Sequence, residues 1–303
     1  MFEGFSPTVV DVGDGIDIAC VVGGSGPAVL LLHGAPQTHA MWHELGPALS
    51  ENYTVIASDL RGYGDSSKPA SDADHETYSF RAMATDQARL MTALGHHEFA
   101  VIGHDRGARV THRLLLDHPE RIRGGAILDV LPTAHLYGNV TRELATAYWH
   151  WFALIQPEPL PEDLITPAPL KFLHHVLNSF GSTASVFAPE AMAEYERCFD
   201  DPSMIHAMCE DYRAAASIDL VHDRASGDRR IECPLLILWG SRGVVGRYFD
   251  PLDVWQQYAT NVRGAAIDAG HFLAEEQPAE TLREIEAFLK SLPRPSGEPT
   301  RAR

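Results

Sequence analysis

Short, wholly apolar runs alternate with stretches of helical period along most of this chain. Residues 9–12 and 16–22 flank the turn dipeptide Asp14-Gly15 and predict an antiparallel hairpin. Ala28-Val29-Leu30-Leu31-Leu32 has no polar position, which suits a strand buried on both faces. Thr54-Val55-Ile56-Ala57, Phe99-Ala100-Val101-Ile102, Ala126-Ile127-Leu128, Leu235-Leu236-Ile237-Leu238-Trp239 and Ala265-Ala266-Ile267 read as further strands. Helical patterns fall over 41–50, 80–94, 107–117 and 278–290. Strands alternating with helices imply a mostly parallel, eight-stranded sheet with helices on both faces. The rhythm stops over 132–223. There the chain carries aromatic and prolyl clusters, Tyr148-Trp149-His150-Trp151-Phe152 and Pro157-Glu158-Pro159-Leu160-Pro161, and helical periodicity without strand-like runs. This predicts a helical cap of 132–223 inserted into a core of 1–131 and 224–292, followed by a flexible Pro-, Gly- and Arg-rich tail at 293–303.

Composition narrows the class. A chain of 303 residues can bury a full core. Lys plus Arg is 24 and Asp plus Glu is 41, a formal net charge of −17, which argues against nucleic acid or an anionic membrane surface as partner. An anionic substrate would need a local cationic pocket against that field. Cys20, Cys198, Cys209 and Cys233 are scattered with no C-x-x-C, and predict reduced thiols in a cytoplasmic protein. Met1-Phe2-Glu3-Gly4-Phe5 has neither a basic region nor a long apolar segment, so no signal peptide is expected, and no apolar run approaches the length of a membrane span.

The chemistry concentrates at Gly103-His104-Asp105-Arg106-Gly107, directly after the run 99–102. This is a strand-turn-helix elbow, G-x-Nuc-x-G, with Asp105 where a serine usually stands. A serine elbow acylates; a carboxylate elbow displaces a leaving group from carbon and becomes an ester itself. A Gly-flanked turn with Asp as helix cap is the blander alternative. His271, in Asp268-Ala269-Gly270-His271-Phe272, follows the last strand, where a general base facing the elbow belongs. Of the acids that could orient it, Asp129 ends the strand after the elbow helix, and Gly240-Ser241-Arg242-Gly243-Val244 offers no carboxylate; Asp250, Asp253 and Asp268 are weaker alternatives. His33-Gly34-Ala35-Pro36 follows the first buried strand and can supply an oxyanion donor, the Ala35 N–H, alongside the backbone N–H of Arg106. Arg106 and Arg109 lie about one helical turn apart beside the elbow, so both can clamp a small carboxylate; a structural pair bridged to acids is the alternative. No metal or other cofactor is implied: His174-His175 point apart on a helix, and His39 and His43 have no third ligand.

With Gly103-His104-Asp105-Arg106-Gly107-Ala108-Arg109, His33-Gly34-Ala35-Pro36-Gln37, Asp59-Leu60-Arg61-Gly62-Tyr63-Gly64 and Tyr148-Trp149-His150-Trp151, the chain resembles the fluoroacetate (haloacetate) dehalogenases of the α/β-hydrolase superfamily over about residues 1–290. The resemblance implies the α/β-hydrolase fold, a homodimer and a small haloacid substrate. By it, Asp105 attacks the α-carbon and expels halide, Arg106 and Arg109 hold the carboxylate, and His150, Trp151 and Tyr212 donate hydrogen bonds to the leaving halide. His271, oriented by Asp129, then activates water to release a 2-hydroxy acid. Epoxide hydrolases and haloalkane dehalogenases share the Asp elbow but typically carry Trp where this chain has Arg106. An epoxide hydrolase using Tyr148 or Tyr212 as acid is the alternative enzyme, and a non-catalytic sensor with a degraded triad a third class. Two positions depart from the family pattern: Ala35 stands where a Phe is usual, and Phe180, in Asn178-Ser179-Phe180-Gly181, where a pocket Trp is expected. Both remove aromatic bulk and predict a roomier pocket.

Overall fold

The computed structural model describes residues 1–293, so the tail expected at 293–303 lies outside the described residues apart from Pro293. Each of the eight apolar runs forms a strand: β1 (Ser6–Asp11), β2 (Asp17–Gly24), β3 (Ala28–Leu32), β4 (Thr54–Ser58), β5 (Phe99–His104), β6 (Ile122–Leu128), β7 (Leu235–Gly240) and β8 (Val262–Ile267). They make one sheet in the order β1-β2-β4-β3-β5-β6-β7-β8. β2 runs antiparallel to β1 and β4, and all other neighbours are parallel. Every residue of β3 and β5 is buried, as their unbroken apolar sequences require.

Chain direction across the sheet reverses between β3 and β5, and such a switch point opens a crevice at the carboxyl ends of the strands. Leu32 pairs with Gly103, so the His33 loop and the Asp105 turn leave the sheet side by side. The elbow helix Arg106–Asp117 packs beneath this edge. The helix Phe80–Ala93 lies beside it and is capped by Ser79, whose hydroxyl accepts the Ala82 N–H at 3.1 Å. One expected helix, 41–50, is instead a 3-10 turn, His39–Trp42, followed by a short helix, Leu45–Ser50. Pro47 lacks the N–H needed inside a continuous helix and fits only in the first turn of the second piece.

Between β6 and β7 the described chain is helical, from Thr133–Gly138 to Ile218–Ser226. This insertion sits over the carboxyl edge of the sheet and is tied to it by polar contacts. The Phe80 N–H donates to Asp219 Oδ1 at 3.0 Å. Tyr195, on the helix Pro189–Phe199, donates its hydroxyl to Glu275 Oε1 at 2.9 Å, while Gln37 Nε2 donates to Glu275 Oε2 and to the Tyr195 hydroxyl at 3.2 Å. One buried carboxyl thus joins the loop after β3, the loop after β8 and the insertion. No helix among the described residues is long and apolar enough to cross a membrane.

No cation faces Glu275 among the described residues, so burial pushes its carboxyl up from 4.5 to about 8. A raised folded-state value means that the folded protein holds this proton where the unfolded chain has lost it. The stability it contributes is complete below about pH 4.5 and is lost as pH rises through about 8. Glu275→Gln, which cannot ionise, should remove this slope. Melting temperatures at about pH 5 and about pH 8.5 will then lie closer together in the variant than in the wild type.

Candidate active site

Asp105 occupies a backbone conformation few L-residues adopt, with φ 48° and ψ −114°. The turn closes only because its neighbours are glycines. A Cβ on Gly103 would lie 2.3 Å from the Gly107 carbonyl oxygen, and one on Gly107 would lie 2.4 Å from the His33 carbonyl oxygen. The Asp105 carboxylate is met from the β3 side, where Ala35 N–H donates to Oδ1 at 3.0 Å. The loop that carries this donor is shaped by His33. Its Nε2 accepts the Leu60 N–H at 3.0 Å, which places the ring proton on Nδ1, donating to the Gly34 carbonyl at 2.9 Å. The second oxyanion donor expected from sequence, the Arg106 N–H, makes no hydrogen bond to the carboxylate among the described residues.

Asp105 Oδ2 lies 3.7 Å from His271 Nε2. On the far side of that ring, Nδ1 is 2.6 Å from Asp129 Oδ2, and Asp129 Oδ1 accepts the Gly240 N–H at 2.9 Å. The structure therefore brings Asp105, His271 and Asp129 into one line. The other acids are occupied elsewhere: Asp268 pairs with Arg242, and Asp250 caps the helix Pro251–Tyr258 by accepting the Leu252 and Asp253 N–H groups. Burial disfavours charge on His271, but the carboxylates on either side outweigh it and raise the imidazole to about 10. Burial alone would raise Asp105; His271, His104 and Arg106 overcome it and hold the carboxyl far below the usual range.

The two arginines divide. Both are buried, Arg106 at 1% and Arg109 at 3% exposure. Arg106 is bridged to an acid, as the structural alternative had it. Its Nε donates to Asp211 Oδ2 at 2.8 Å, and its Nη2 donates to Asp211 Oδ1 and, at 2.8 Å, to the Asp211 carbonyl. The clamp expected of both arginines therefore rests, at Arg106, on the part of its fork that Asp211 leaves open. Arg109 has no carboxylate within ion-pair distance among the described residues. Its Nη1 donates to the Thr133 hydroxyl at 2.8 Å and the Leu131 carbonyl at 3.2 Å, its guanidinium lies 4.8 Å from the Trp151 ring centre, and its buried Nε has no partner.

The insertion supplies the opposite wall. His150 is buried and neutral, its imidazole lowered to about 3 by burial, and its Nδ1 is a buried polar atom without a partner. Trp151 stacks on Tyr148 with ring centres 4.8 Å apart, and Tyr212 lies edge-on to His150 at 5.8 Å. Neither the Trp151 indole N–H nor the Tyr212 hydroxyl bonds to another described residue. Three polar hydrogen-bonding side chains thus converge with none matched to the other. Phe180, at φ 59°, packs its ring against His150 at 5.1 Å and His271 at 5.7 Å. The space beside Ala35 is closed by Leu154, Phe172, Val176 and Met208 to about 10 Å³, room for one water-sized group. A larger cleft of about 1010 Å³, between Lys68 and His75 on one side and His206 and Arg213 on the other, holds none of these residues.

Several residues that shape the site escaped the sequence reading. Asp211 sits within Glu210-Asp211-Tyr212-Arg213 on the apolar helix Pro202–Ala216, and a run of charges there cannot all face solvent, which was the available signal. Tyr63 donates its hydroxyl to Asp211 Oδ2 at 2.6 Å. His104 donates from Nε2 to the His271 carbonyl at 2.9 Å, fixing the histidine loop from behind.

Comparison with known proteins agrees with the fold. The alpha/beta hydrolase fold family matches residues 27–278. The chain is 47% identical to a fluoroacetate dehalogenase of Burkholderia sp. over 95% of both chains. It is 34% identical to a soluble epoxide hydrolase of Corynebacterium sp. (strain C12), over 85% of this chain and 88% of that one. A crystal structure of a Nostoc sp. PCC 7120 protein superposes with a TM-score of 0.94 at 52% identity, covering 96% of this chain and all of that one.

A Cβ on Gly34 would fall 2.3 Å from the Asp105 Cβ, so Gly34→Ala must displace the elbow carboxylate. Hydrolytic turnover by this variant should fall by about 100-fold with little loss of melting temperature, as a misplaced reacting atom would cause.

Proposed function

The chain belongs to the alpha/beta hydrolase family, in the branch of the fluoroacetate dehalogenases, and is a hydrolase; from that premise we propose that it cleaves the carbon–halogen bond of haloacetates and related 2-haloacids, including C–F, to give 2-hydroxy acids. The observation that carries this reading is Arg109. A buried guanidinium with an unpartnered Nε and no carboxylate counter-ion, next to an ionised aspartate, calls for a small anion that brings its own negative charge. A neutral epoxide would leave that charge unanswered, which disfavours the epoxide hydrolase alternative.

In this reading Oδ2 of Asp105 is the nucleophile, because Oδ1 is engaged by the Ala35 N–H. Its lone pair forms a bond to the α-carbon as the carbon–halogen bond breaks, and the halide leaves with the bonding pair. His150, Trp151 and Tyr212 face the departing halide with an imidazole N–H, an indole N–H and a phenol O–H, the directed donors that fluoride, a poor leaving group, requires. Arg109, with Arg106, holds the substrate carboxylate. In the second step His271 takes a proton from water and the hydroxide adds to the Asp105 Cγ. Charge develops on Oδ1, where Ala35 N–H already points. Collapse expels the 2-hydroxy acid oxygen, which takes the proton back from His271, and the hydroxyl proton left on the new Asp105 carboxyl then passes to His271, restoring the carboxylate beside an imidazolium. Asp129 stabilises the imidazolium between these transfers. No cofactor enters this scheme. A cytoplasmic location and a homodimer complete the proposal, supported respectively by four free thiols and by the family resemblance.

Fluoride and chloride release from fluoroacetate and chloroacetate, with Asp105→Ala as the blank, tests the reaction. Asp105-dependent release of both halides is expected; release of neither, with turnover of styrene oxide, would favour the epoxide reading. His271→Ala should release about one halide per protein and stop, and mass spectrometry should find the glycolyl ester on the peptide that carries Asp105.

A further inference from the structure

Two buried arginines face one small site, yet only one of them has a counter-ion among the described residues. Of the insertion's acids near Arg106, Asp211 alone bonds to it among the described residues, and Asp219 keeps a buried Oδ2 without a hydrogen-bond partner there. Asp211 receives two side-chain bonds from the guanidinium and is tied again by the Tyr63 hydroxyl at 2.6 Å. Glu210 turns away to His75 at 2.7 Å and Arg213 at 2.6 Å. Asp219 accepts the Phe80 N–H. The Arg106–Asp211 pair is therefore neutral as a unit, and both members are at least 99% buried. Its geometry is fixed on every side. The guanidinium is sandwiched between the Phe80 ring at 4.7 Å and the Tyr212 ring at 4.2 Å, and its Nη2 also holds the backbone carbonyl of Asp211, the residue before Tyr212. Arg106 belongs to the elbow helix of the core, and Asp211 and Tyr212 belong to the insertion.

We propose that Asp211 is a positioning residue: it neutralises Arg106 within the protein and fixes it as the platform for Tyr212, so that the substrate carboxylate takes its counter-charge from Arg109. This rests on the dehalogenase reading above. The consequence is a division of labour. Arg109 sets affinity for an anion, because its charge is uncompensated until one binds. The Arg106–Asp211 pair sets the aim of the Tyr212 hydroxyl toward the leaving halide, and contributes oriented N–H groups rather than net charge. A donor aimed at the leaving group matters most when that group is poor. Loosening the pair should therefore harm defluorination more than dechlorination, and should leave anion binding intact, since an Arg106 freed of its partner is more cationic than before.

The test compares Asp211→Asn and Tyr63→Phe with Arg109→Gln in the full chain. Turnover of fluoroacetate and chloroacetate gives kcat and KM, and acetate binding is measured by calorimetry. In Asp211→Asn, kcat on fluoroacetate should fall at least about tenfold more than kcat on chloroacetate, with KM and the acetate dissociation constant unchanged or lower. Tyr63→Phe removes only the hydroxyl that steadies Asp211 and should show the same bias, smaller; it decides the matter if Asp211→Asn does not fold. Arg109→Gln should weaken acetate binding by about 100-fold. Equal losses on the two halides, or a tenfold rise in KM with kcat unchanged in Asp211→Asn, would overturn the proposal. If the wild type turned over neither haloacetate, the dehalogenase reading would fail by itself. Acetate binding would then still decide the charge assignment: loss in Arg109→Gln alone supports it, and equal loss in both variants refutes it.

Discussion

The turn at Asp105 is the constraint from which the rest of the site is measured. A non-glycine residue at φ 48° and ψ −114° is strained by about 1–3 kcal/mol, and it persists only where surrounding structure allows no other path. Here β5 ends against β3 and β6, Gly103 and Gly107 let the chain fold back on itself, and Gly34 lets the adjoining loop approach the side chain. The result is a carboxylate standing at the sheet's carboxyl edge and at the start of a helix. Its two oxygens differ in function because their surroundings differ. Oδ1 is held by a backbone donor, and Oδ2 faces the histidine and the insertion.

Charge is organised with the same economy. The chain as a whole carries −17, yet around Asp105 it buries two guanidiniums, a neutral His150 and an imidazole flanked by carboxylates. Buried charges are tolerated when each has a partner, and two of the three cationic groups beside the elbow do. Asp211 answers Arg106, and Asp129 answers His271. Arg109 is the exception, softened by the Trp151 face and two neutral acceptors. An unanswered buried charge is costly in the empty site and becomes favourable when an anion arrives. This makes the site selective for charge before it discriminates by shape.

Much of this was legible from the sequence because it is local. The elbow, its flanking glycines and the strand before it lie within nine residues, 99–107, and the histidine sits in a short loop between the last strand and the closing helix. Asp129 could be reached by position because it directly follows a strand whose neighbours were already fixed. What stayed hidden depends on how the insertion docks. Asp211 meets Arg106 across 105 positions in the chain, and nothing in the spacing of either residue says so. The same holds for Glu275, which reads as one of two exposed acids at a helix start but is buried between Gln37 and Tyr195. The lining of the small space beside Ala35 was hidden for the same reason, since its side chains come from three helices of the insertion.

The histidine's basicity shows why these charges must be arranged together. While Asp105 is a carboxylate, His271 lies between two anions and is held to about 10, so it is an imidazolium that cannot accept a proton. That state suits the first step, in which an adjacent cation keeps the nucleophile ionised and no base is needed. In the proposed mechanism, ester formation would convert Asp105 to a neutral group and remove one of the two anions, while burial continues to disfavour charge on the ring. The imidazole then becomes easier to deprotonate at the stage when water must be activated. Asp129 is untouched by the chemistry and keeps the ring oriented throughout. On the proposed mechanism, a single change of charge on Asp105 would thus switch His271 from a stabilising cation to a base, with no movement of either residue required.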